Sequence, residues 1–318
     1  MSARRIVSLA ALIGAILTGP ALATDTLKLA IGQRGLWDSA IAEFGTERGI
    51  FKKHDLDIQP FYTSSGGETL QVVIGASADI GVSAGTLGVL SAYAKGAPLR
   101  IIAGEATGTA EYYFVRAESP IKRLQDATAS NTLAYSTNGS GTHITALRFM
   151  KELGFQAKLV ATGTVPATFT SVMSGQIDIG FSTPPFGLAE EAQGKIRILA
   201  LATDLESMRT QTVRVTIANA TDLAKRPDVY KRFIAAYQET IDWMYSSDPA
   251  VLDMFAKYAA ITPAMAKTVR DKFYPKTMLQ LGRVDGMKEM MEDAVAFKYI
   301  PKPLDQKQLD ELLQLPKR

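Results

Sequence analysis

The sequence has 318 residues, no cysteine, two histidines and a formal charge of +3, from 35 Lys and Arg against 32 Asp and Glu. A chain without cysteine has no disulfide, no thiol nucleophile and no lipid-modified amino-terminal cysteine. The nearly balanced charge provides no basic stripe for nucleic acid and no polybasic segment for an anionic membrane, so we expect neither as a partner.

The first 23 residues have the pattern of a secretory signal peptide. Arg4 and Arg5 precede an apolar run of 14 residues, and Ala21-Leu22-Ala23 fits a small-x-small cleavage site. The run is short for a membrane span, which needs about 20 residues; an uncleaved anchor is the alternative. We predict cleavage after Ala23 and a periplasmic protein without direct membrane insertion.

From residue 26 to about residue 203, short β-rich runs alternate with helical patterns. This alternation is typical of α/β domains, in which helices pack on both faces of a mostly parallel sheet. The predicted strands are residues 26–32, 56–62, 79–83, 99–104, 132–136, 158–162, 178–182 and 196–201.

One segment recurs. Residues 75–83 (GASADIGVS) resemble residues 175–182 (GQIDIGFS), and each follows a helical run. In both, the chain would leave a helix at Gly, turn through an Asp and enter a buried strand that ends in Ser. Chance recurrence of a common turn is the alternative, but the surrounding order of elements also matches. We predict two related lobes, joined by strands near residues 108–116 and 203–215.

After about Thr216 the pattern becomes helical only. A polar residue followed by Pro marks helix starts, because the polar side chain caps free N–H groups and Pro needs no donor in the first turn. Such pairs stand at residues 119–120, 183–184, 248–249 and 262–263.

The motifs of common enzyme classes are absent from the sequence. It contains no GxSxG, no HExxH, no phosphate-binding GxxxxGK[ST] and no GxGxxG after the first strand. His54 lies in a charged turn, which favours a surface position. His143 lies in the first turn of a helix, where a ligand contact and an exposed position are both open. Two histidines so far apart make a poor metal site, so we predict a non-enzyme without metal or cofactor.

Polar, mostly Gly-rich turns follow five predicted strands. In open α/β sheets ligands bind at the carboxyl ends of the strands. Backbone N–H groups, hydroxyls and positive helix ends at such turns suit an oxyanion. We therefore predict a site for a small anion in a cleft between the lobes. The turns are residues 33–38, 63–68, 83–86, 136–142 and 182–185.

The chain from residue 24 resembles the nitrate/sulfonate/taurine and thiamine-pyrimidine branch of type II periplasmic solute-binding proteins. The resemblance rests on residues 27–33 (LKLAIGQ), on residues 136–155 and most specifically on residues 47–85. It implies a two-lobed α/β fold, each lobe a mostly parallel sheet flanked by helices, with the carboxyl-terminal helices on lobe 1. Lobe 1 would comprise residues 24–112 plus 213–318, and lobe 2 residues 113–212, with the ligand cleft between them.

The binding loops of this family match the polar turns of the chain. Trp37 would serve as a lid or stacking face. Many members have Trp before the Pro that follows the last strand of lobe 2, whereas this chain reads Phe181-Ser182-Thr183-Pro184-Pro185, so the ligand's identity is not inherited. The candidate ligand-binding residues are Gln33, Arg34, Trp37, Ser64, Ser65, Gly66, Ser83, Ala84, Asn138, Gly139, Ser140, Thr142, His143, Thr183 and Pro184.

Three residues carry specific expectations. Arg34 could clamp a carboxylate or sulfonate through both oxygens, or remain a solvated loop residue. Glu105 could meet a ligand amine, or form a salt bridge beside the hinge. A Gly139→Val substitution should abolish binding without unfolding the protein, because a Cβ would crowd the approach of the backbone to the ligand.

The resemblance implies the substrate-binding component of an ABC importer. It would act as a monomer that captures a small organic anion and delivers it to permease subunits in the inner membrane. Sulfonate, carboxylate, nitrate-like and pyrimidine ligands stay open. Two alternatives remain: a secreted enzyme with Asp38 or Glu105 as general base, and a receptor that reports its ligand to a membrane sensor.

Overall fold

A computed structural model describes residues 24–316. The predicted signal peptide and its cleavage site lie outside the described residues. Among the residues described, no helix is both long enough and apolar enough to cross a bilayer.

The described chain alternates strands and helices up to residue 219 and is helical from there on, as the sequence pattern predicts. Its strands are β1 (Asp25–Gly32), β2 (Leu56–Thr63), β3 (Ile80–Gly85), β4 (Leu99–Thr107), β5 (Tyr112–Arg116), β6 (Thr132–Tyr135), β7 (Lys158–Ala161), β8 (Gly180–Ser182), β9 (Ile196–Leu201) and β10 (Thr212–Asn219). Its α-helices are α1 (Ile41–Glu47), α2 (Ile50–Lys53), α3 (Gly66–Ile74), α4 (Thr86–Ala94), α5 (Gly141–Leu153), α6 (Val165–Met173), α7 (Leu188–Ala192), α8 (Glu206–Thr210), α9 (Ala220–Lys225), α10 (Pro227–Met244), α11 (Ala250–Ala259), α12 (Pro263–Thr268), α13 (Met287–Ala296) and α14 (Gln306–Leu312).

The strands form two groups, which define what we call lobe 1 and lobe 2. The lobe 1 sheet has the order β2-β1-β3-β10-β4, in which β10 alone runs antiparallel to its neighbours. In lobe 2 the order β8-β5-β9 continues into β7-β6 through a parallel bridge between Leu133 and Ile179. The lobe 2 order is therefore β7-β6-β8-β5-β9, and β5 is its antiparallel strand.

The two lobes share one topology, which confirms the predicted repeat. Each strand of lobe 2 occupies the position of a lobe 1 strand, with β6 in the place of β1 and β5 in the place of β10. The repeated Asp has the same task in both lobes. Asp79 Oδ2 accepts the backbone N–H of Lys28, and Asp178 Oδ2 accepts that of Thr132, each at 2.8 Å. The Asp thus fixes the start of the neighbouring strand.

Two segments connect the lobes, residues 108–111 and residues 202–211. The second contains α8 rather than the strand expected near 203–215. The predicted helix start is also wrong at two of the polar-Pro pairs. Residues 119–120 lead into an irregular turn, and the helix expected at residues 183–184, α7, begins only at Leu188. At Thr262-Pro263 the prediction is confirmed, because the Thr262 hydroxyl accepts the N–H of Met265.

The carboxyl-terminal helices pack on lobe 1, as the family resemblance implies. Helix α10 lies against α1 and α2, where Phe51 stacks on Phe233 with ring centroids 6.0 Å apart. Helix α14 packs on β4, and α13 packs on α4. The domain boundaries at residues 112/113 and 212/213 stay predictions.

We predict that Asp178→Ala lowers the free energy of unfolding by about 1 kcal/mol, because the N–H of Thr132 loses its acceptor. Urea denaturation measures the change. Asp228→Ala is the matched control, since the Asp228 side chain is 83% exposed and pairs with the exposed Lys231; its effect should stay within about 0.5 kcal/mol. Equal effects of the two substitutions would contradict the strand-fixing role.

Candidate functional site

A polar cleft lies between the lobes at the carboxyl ends of β1, β3 and β6. Its cavity volume is about 60 Å³, room for a few water molecules, so in this arrangement of the lobes the cleft suits only a small solute. The lobes touch across it, since Thr137 Oγ1 donates to Ser65 Oγ at 3.2 Å. The cleft is lined by Gly32, Gln33, Leu36, Ser64, Ser65, Gly66, Ser83, Glu111, Ser136, Ser140, Gly141, Thr142, Gly163, Val165, Phe181, Thr183 and Arg214.

Three helices from both lobes begin at this cleft. Helix α3 starts at Gly66, α5 at Gly141 and α6 at Val165, and all three residues line the cleft. The residues before them cap the helices: Ser65, Ser140 and Thr164 accept N–H groups through their hydroxyls. The positive ends of three helices therefore converge on one small volume, which favours a negatively charged group there.

A cluster of hydroxyls forms the lobe 2 wall. The Ser136 Oγ lies 2.9 Å from both Ser140 Oγ and Thr142 Oγ1, and the N–H of Ser136 donates to Thr142 Oγ1 at 2.8 Å. These hydroxyls can rotate to donate to a ligand oxygen.

A buried ion pair forms the base of the cleft. Arg214 Nη2 donates to Asp38 Oδ2 at 2.7 Å, and Nη1 lies 3.8 Å from Glu111 Oε1. Burial by itself lowers the pKa of Arg214, but Asp38 and then Glu111 raise it more, so the guanidinium stays charged. Within residues 24–316, Arg214 Nε and Asp38 Oδ1 have no hydrogen-bond partner. The guanidinium thus keeps unused donor capacity beside the cleft.

Two buried glutamates stand next to this pair. Burial is the main cause that raises the pKa of both Glu105 and Glu111. Glu105 lies inside β4 rather than after it, and accepts both the N–H of Ser83, at 2.5 Å, and its hydroxyl, at 2.6 Å. Glu105 thereby holds Ser83 at a φ of 63°, an uncommon value for a residue with a side chain. Glu105 does not line the cleft, and among residues 24–316 it accepts hydrogen bonds from Ser83 and Thr216 instead of forming a salt bridge.

About half of the sequence-predicted residues line the cleft. Those that do are Gln33, Ser64, Ser65, Gly66, Ser83, Ser140, Thr142 and Thr183. Those that do not are Arg34, Trp37, Ala84, Asn138, Gly139, His143 and Pro184.

Arg34 and Trp37 point away from the cleft. The Arg34 guanidinium pairs with Glu43 at 3.2 Å and lies over the ring of Tyr258, both in lobe 1, and Arg34 does not line the cleft. Trp37 is fully buried, and its Nε1 donates to the hydroxyl of Tyr245 at 3.0 Å. A charged clamp at Arg34 and a lid at Trp37 are therefore not what the structure shows.

Asn138, Gly139 and His143 lie on the reverse side of the turn whose front lines the cleft. A Cβ on Gly139 would come within 2.7 Å of the Cα of Gly88 in lobe 1, and the N–H of Gly88 donates to the Gly139 carbonyl at 3.2 Å. The absence of a side chain at Gly139 thus permits the two lobes to touch. The close approach of this backbone is to Gly88 of lobe 1, whereas we expected it, from the sequence, to be to the ligand.

Arg214 and Glu111 are charged residues that line the cleft and that sequence reasoning missed. Arg214 is the second residue of the run VRVTIA, whose other polar residue is Thr216, in a strand that is buried throughout. A charged residue in such a strand is rarely buried unless it is paired, and this was the available signal.

Comparison with known proteins places the fold and the family. The family model described as NMT1/THI5 like matches residues 40–250. The aliphatic sulfonate-binding protein SsuA of Escherichia coli is 20% identical, with a TM-score of 0.71 over 92% of this chain and 93% of that one. The alkanesulfonate-binding protein SsuA of Xanthomonas axonopodis pv. citri, bound to MOPS, is 16% identical, with a TM-score of 0.71 over 92% and 94%. The nitrate-binding protein NrtA of Synechocystis PCC 6803 is 13% identical, with a TM-score of 0.65 over 90% and 84%.

A search of curated proteins finds no match to the sequence. At these identities the solved structures establish the fold, which is that of type II periplasmic binding proteins.

We predict that Gly139→Val prevents the lobes from meeting, because its side chain collides with the backbone of Gly88. Small-angle scattering should show a larger radius of gyration than for the wild type. Gly154→Val is the matched control: Gly154 has a similar φ of 69°, and nothing lies within 4 Å of its added Cβ. Both substitutions carry the backbone strain of the left-handed region, about 1–2 kcal/mol. An unchanged radius for Gly139→Val would contradict the contact.

Proposed function

The chain belongs to the NMT1/THI5-like family, and from this premise we propose that it is the substrate-binding component of an ABC importer. It captures a small organic anion in the periplasm, as a monomer, and delivers it to permease subunits in the inner membrane. The two lobes close on the ligand in the manner of a hinge.

One observation supports this function above all others. Three helix N-termini from two lobes, a wall of hydroxyls and the buried, charged side chain of Arg214 line the same cleft. Each of these groups favours a negatively charged ligand. Their interactions with it would be non-covalent, so the ligand would be bound without reaction.

The cleft also favours an organic ligand over a bare inorganic ion. Leu36, Val165 and Phe181 contribute apolar surface beside the oxyanion-binding groups. Sulfonates and carboxylates with a short carbon chain combine the two requirements. The SsuA proteins of similar fold bind sulfonates, which agrees with this class.

The side chains available for catalysis are engaged elsewhere. Asp38, a candidate general base, pairs with Arg214, and Glu105 accepts hydrogen bonds from Ser83. Neither carboxylate lines the cleft, so neither reaches a bound molecule, which supports binding without turnover.

Ligand-induced stabilisation tests the proposal directly. Residues 24–318, purified without bound solute, should unfold at a higher temperature with alkanesulfonates or short carboxylates than with matched chloride salts. At a concentration 100 times the dissociation constant, the ligand adds about 2.7 kcal/mol to the free energy of unfolding. No shift with any of these anions would contradict the proposal, as would measurable turnover of one of them.

We predict that Arg214→Lys weakens binding of the stabilising anion about tenfold or more. Lys keeps the positive charge beside Asp38 but loses the planar fork that can hold two oxygens. Isothermal titration measures the affinity. Arg34→Lys is the matched control, because Arg34 lies off the cleft, and it should bind within about twofold of the wild type. A larger loss of affinity for Arg34→Lys than for Arg214→Lys would contradict the role of Arg214 and would favour Arg34 as the residue that binds the anion.

A further inference from the structure

A carboxyl-terminal segment of the chain bridges the two lobes behind the cleft. We call residues 287–299, which comprise α13 and the turn after it, the strap. We propose that Tyr299 of the strap, through His143 and Gly139, is a positioning residue that holds the lobe 2 binding turn against lobe 1 when the cleft is closed. The inference rests on the proposed function and adds the regulation of its site.

The strap is fixed to lobe 1. Helix α13 packs on α4, and the Ser91 hydroxyl on α4 donates to the backbone carbonyl of Tyr299 at 2.9 Å. The phenol ring of Tyr299 therefore projects from lobe 1 toward lobe 2.

The strap also carries an ionic contact to lobe 2. Asp293 on α13 is 1% exposed and forms ion pairs with Arg148 and Lys151, both on α5 of lobe 2. The Lys151 ammonium also lies 5.8 Å from the ring centroid of Phe297 in the strap. The strap is thus bound to α4 of lobe 1 and to α5 of lobe 2.

Tyr299 reaches the reverse side of the binding turn. Its hydroxyl oxygen accepts the N–H of Gly139 at 2.8 Å, and the hydroxyl lies 2.5 Å from Nδ1 of His143. The N–H of Gly139 also lies 3.2 Å from Nδ1 of His143, and an unprotonated Nδ1 accepts from it and from the Tyr299 hydroxyl. The imidazole is held in place by stacking on Tyr135, with centroids 4.2 Å apart.

The front of this same turn forms the lobe 2 wall of the cleft. Ser140 and Gly141, which line the cleft, follow Gly139 directly in the chain. A contact on the back of the turn therefore sets the position of the first N–H groups of α5 relative to lobe 1. Opening of the lobes would separate Tyr299 from Gly139 and His143, so the contact favours the closed form alone.

The protonation of His143 makes this contact sensitive to pH. Burial lowers the pKa of His143 to about 4. The ionisable groups around it are Tyr135 on β6, Tyr299 on the strap, and Lys95 and Lys298, which line the same groove. Opening exposes the ring and returns its pKa toward about 6.5. Protons then bind the open form more readily, so closure is constant above about pH 7 and weakens as the pH falls from 6.5 toward 4.

The experiment uses the absence of native cysteine. Spin labels at Gln59→Cys in lobe 1 and Lys158→Cys in lobe 2, both exposed positions, report the interlobe distance with and without ethanesulfonate. Tyr299→Phe should lengthen this distance and raise the ethanesulfonate dissociation rate about tenfold, with an unchanged melting temperature. Tyr93→Phe, whose hydroxyl bonds Glu311 on lobe 1, is the matched control and should leave both values unchanged.

His143→Asn adds a readout that a merely structural role would not move. Asn offers an acceptor near the position of Nδ1 that does not titrate, so this variant should keep its interlobe distance between pH 7 and pH 4.5, where the wild type opens. A wild-type interlobe distance and dissociation rate for Tyr299→Phe, or a wild-type pH profile for His143→Asn, would overturn the inference. Neither result would contradict the proposed binding of an anion. Distances that respond to Tyr299→Phe in a protein that binds no anion would support the strap and contradict the proposed function.

Discussion

The buried pair of Asp38 and Arg214 is the interaction on which the rest of the site depends. Asp38 follows the first strand of lobe 1, and Arg214 lies at the start of β10, where the chain returns from lobe 2. Glu111, 3.8 Å from Arg214, lies in the other connection and reaches Thr145 of α5 through its second oxygen. Through Glu111, the pair is linked to the connection of residues 108–111 and to lobe 2 in one chain of polar contacts beneath the cleft.

Burying such an ion pair costs free energy, because both charges lose their hydration. Removing one partner costs still more, because the other charge stays buried without compensation. A single buried charge left without its partner typically costs about 3–5 kcal/mol. The position of Arg214 is consequently fixed by the fold itself. Under the proposed function, a ligand oxyanion would meet a guanidinium already oriented, and little side-chain freedom would remain to be lost on binding.

The elements that local sequence pattern determines were predictable. The positions of eight of the ten described strands followed from β-rich runs, and the repeated Asp-Ile-Gly led to the correct statement that the two lobes are related. Cleft residues such as Ser65, Ser140 and Thr142 followed as well, because polar turns at the carboxyl ends of parallel strands meet at one edge of a sheet.

What depended on long-range packing was not predictable. Arg34 and Trp37 lie in the correct turn, but Gln33 and Gly35 adopt positive φ values of 36° and 97°, and pattern alone does not give the direction in which a turn of this kind projects its side chains. Arg214 lies 176 residues from its partner Asp38, and Tyr299 lies 156 residues from His143. Neither pair has a spacing that a local pattern could reveal.

The shared topology of the lobes has a consequence for the energetics of closure. Because α3 and α6 begin at equivalent places in the two lobes, closure brings two positive helix ends toward each other. Apposed like charges repel, whereas an anion between them is attracted by both. Under the proposed function, the bound anion would act as a counter-ion shared by two halves of the same molecule, and the internal symmetry of the chain would make its closed form sensitive to the sign of the charge it encloses.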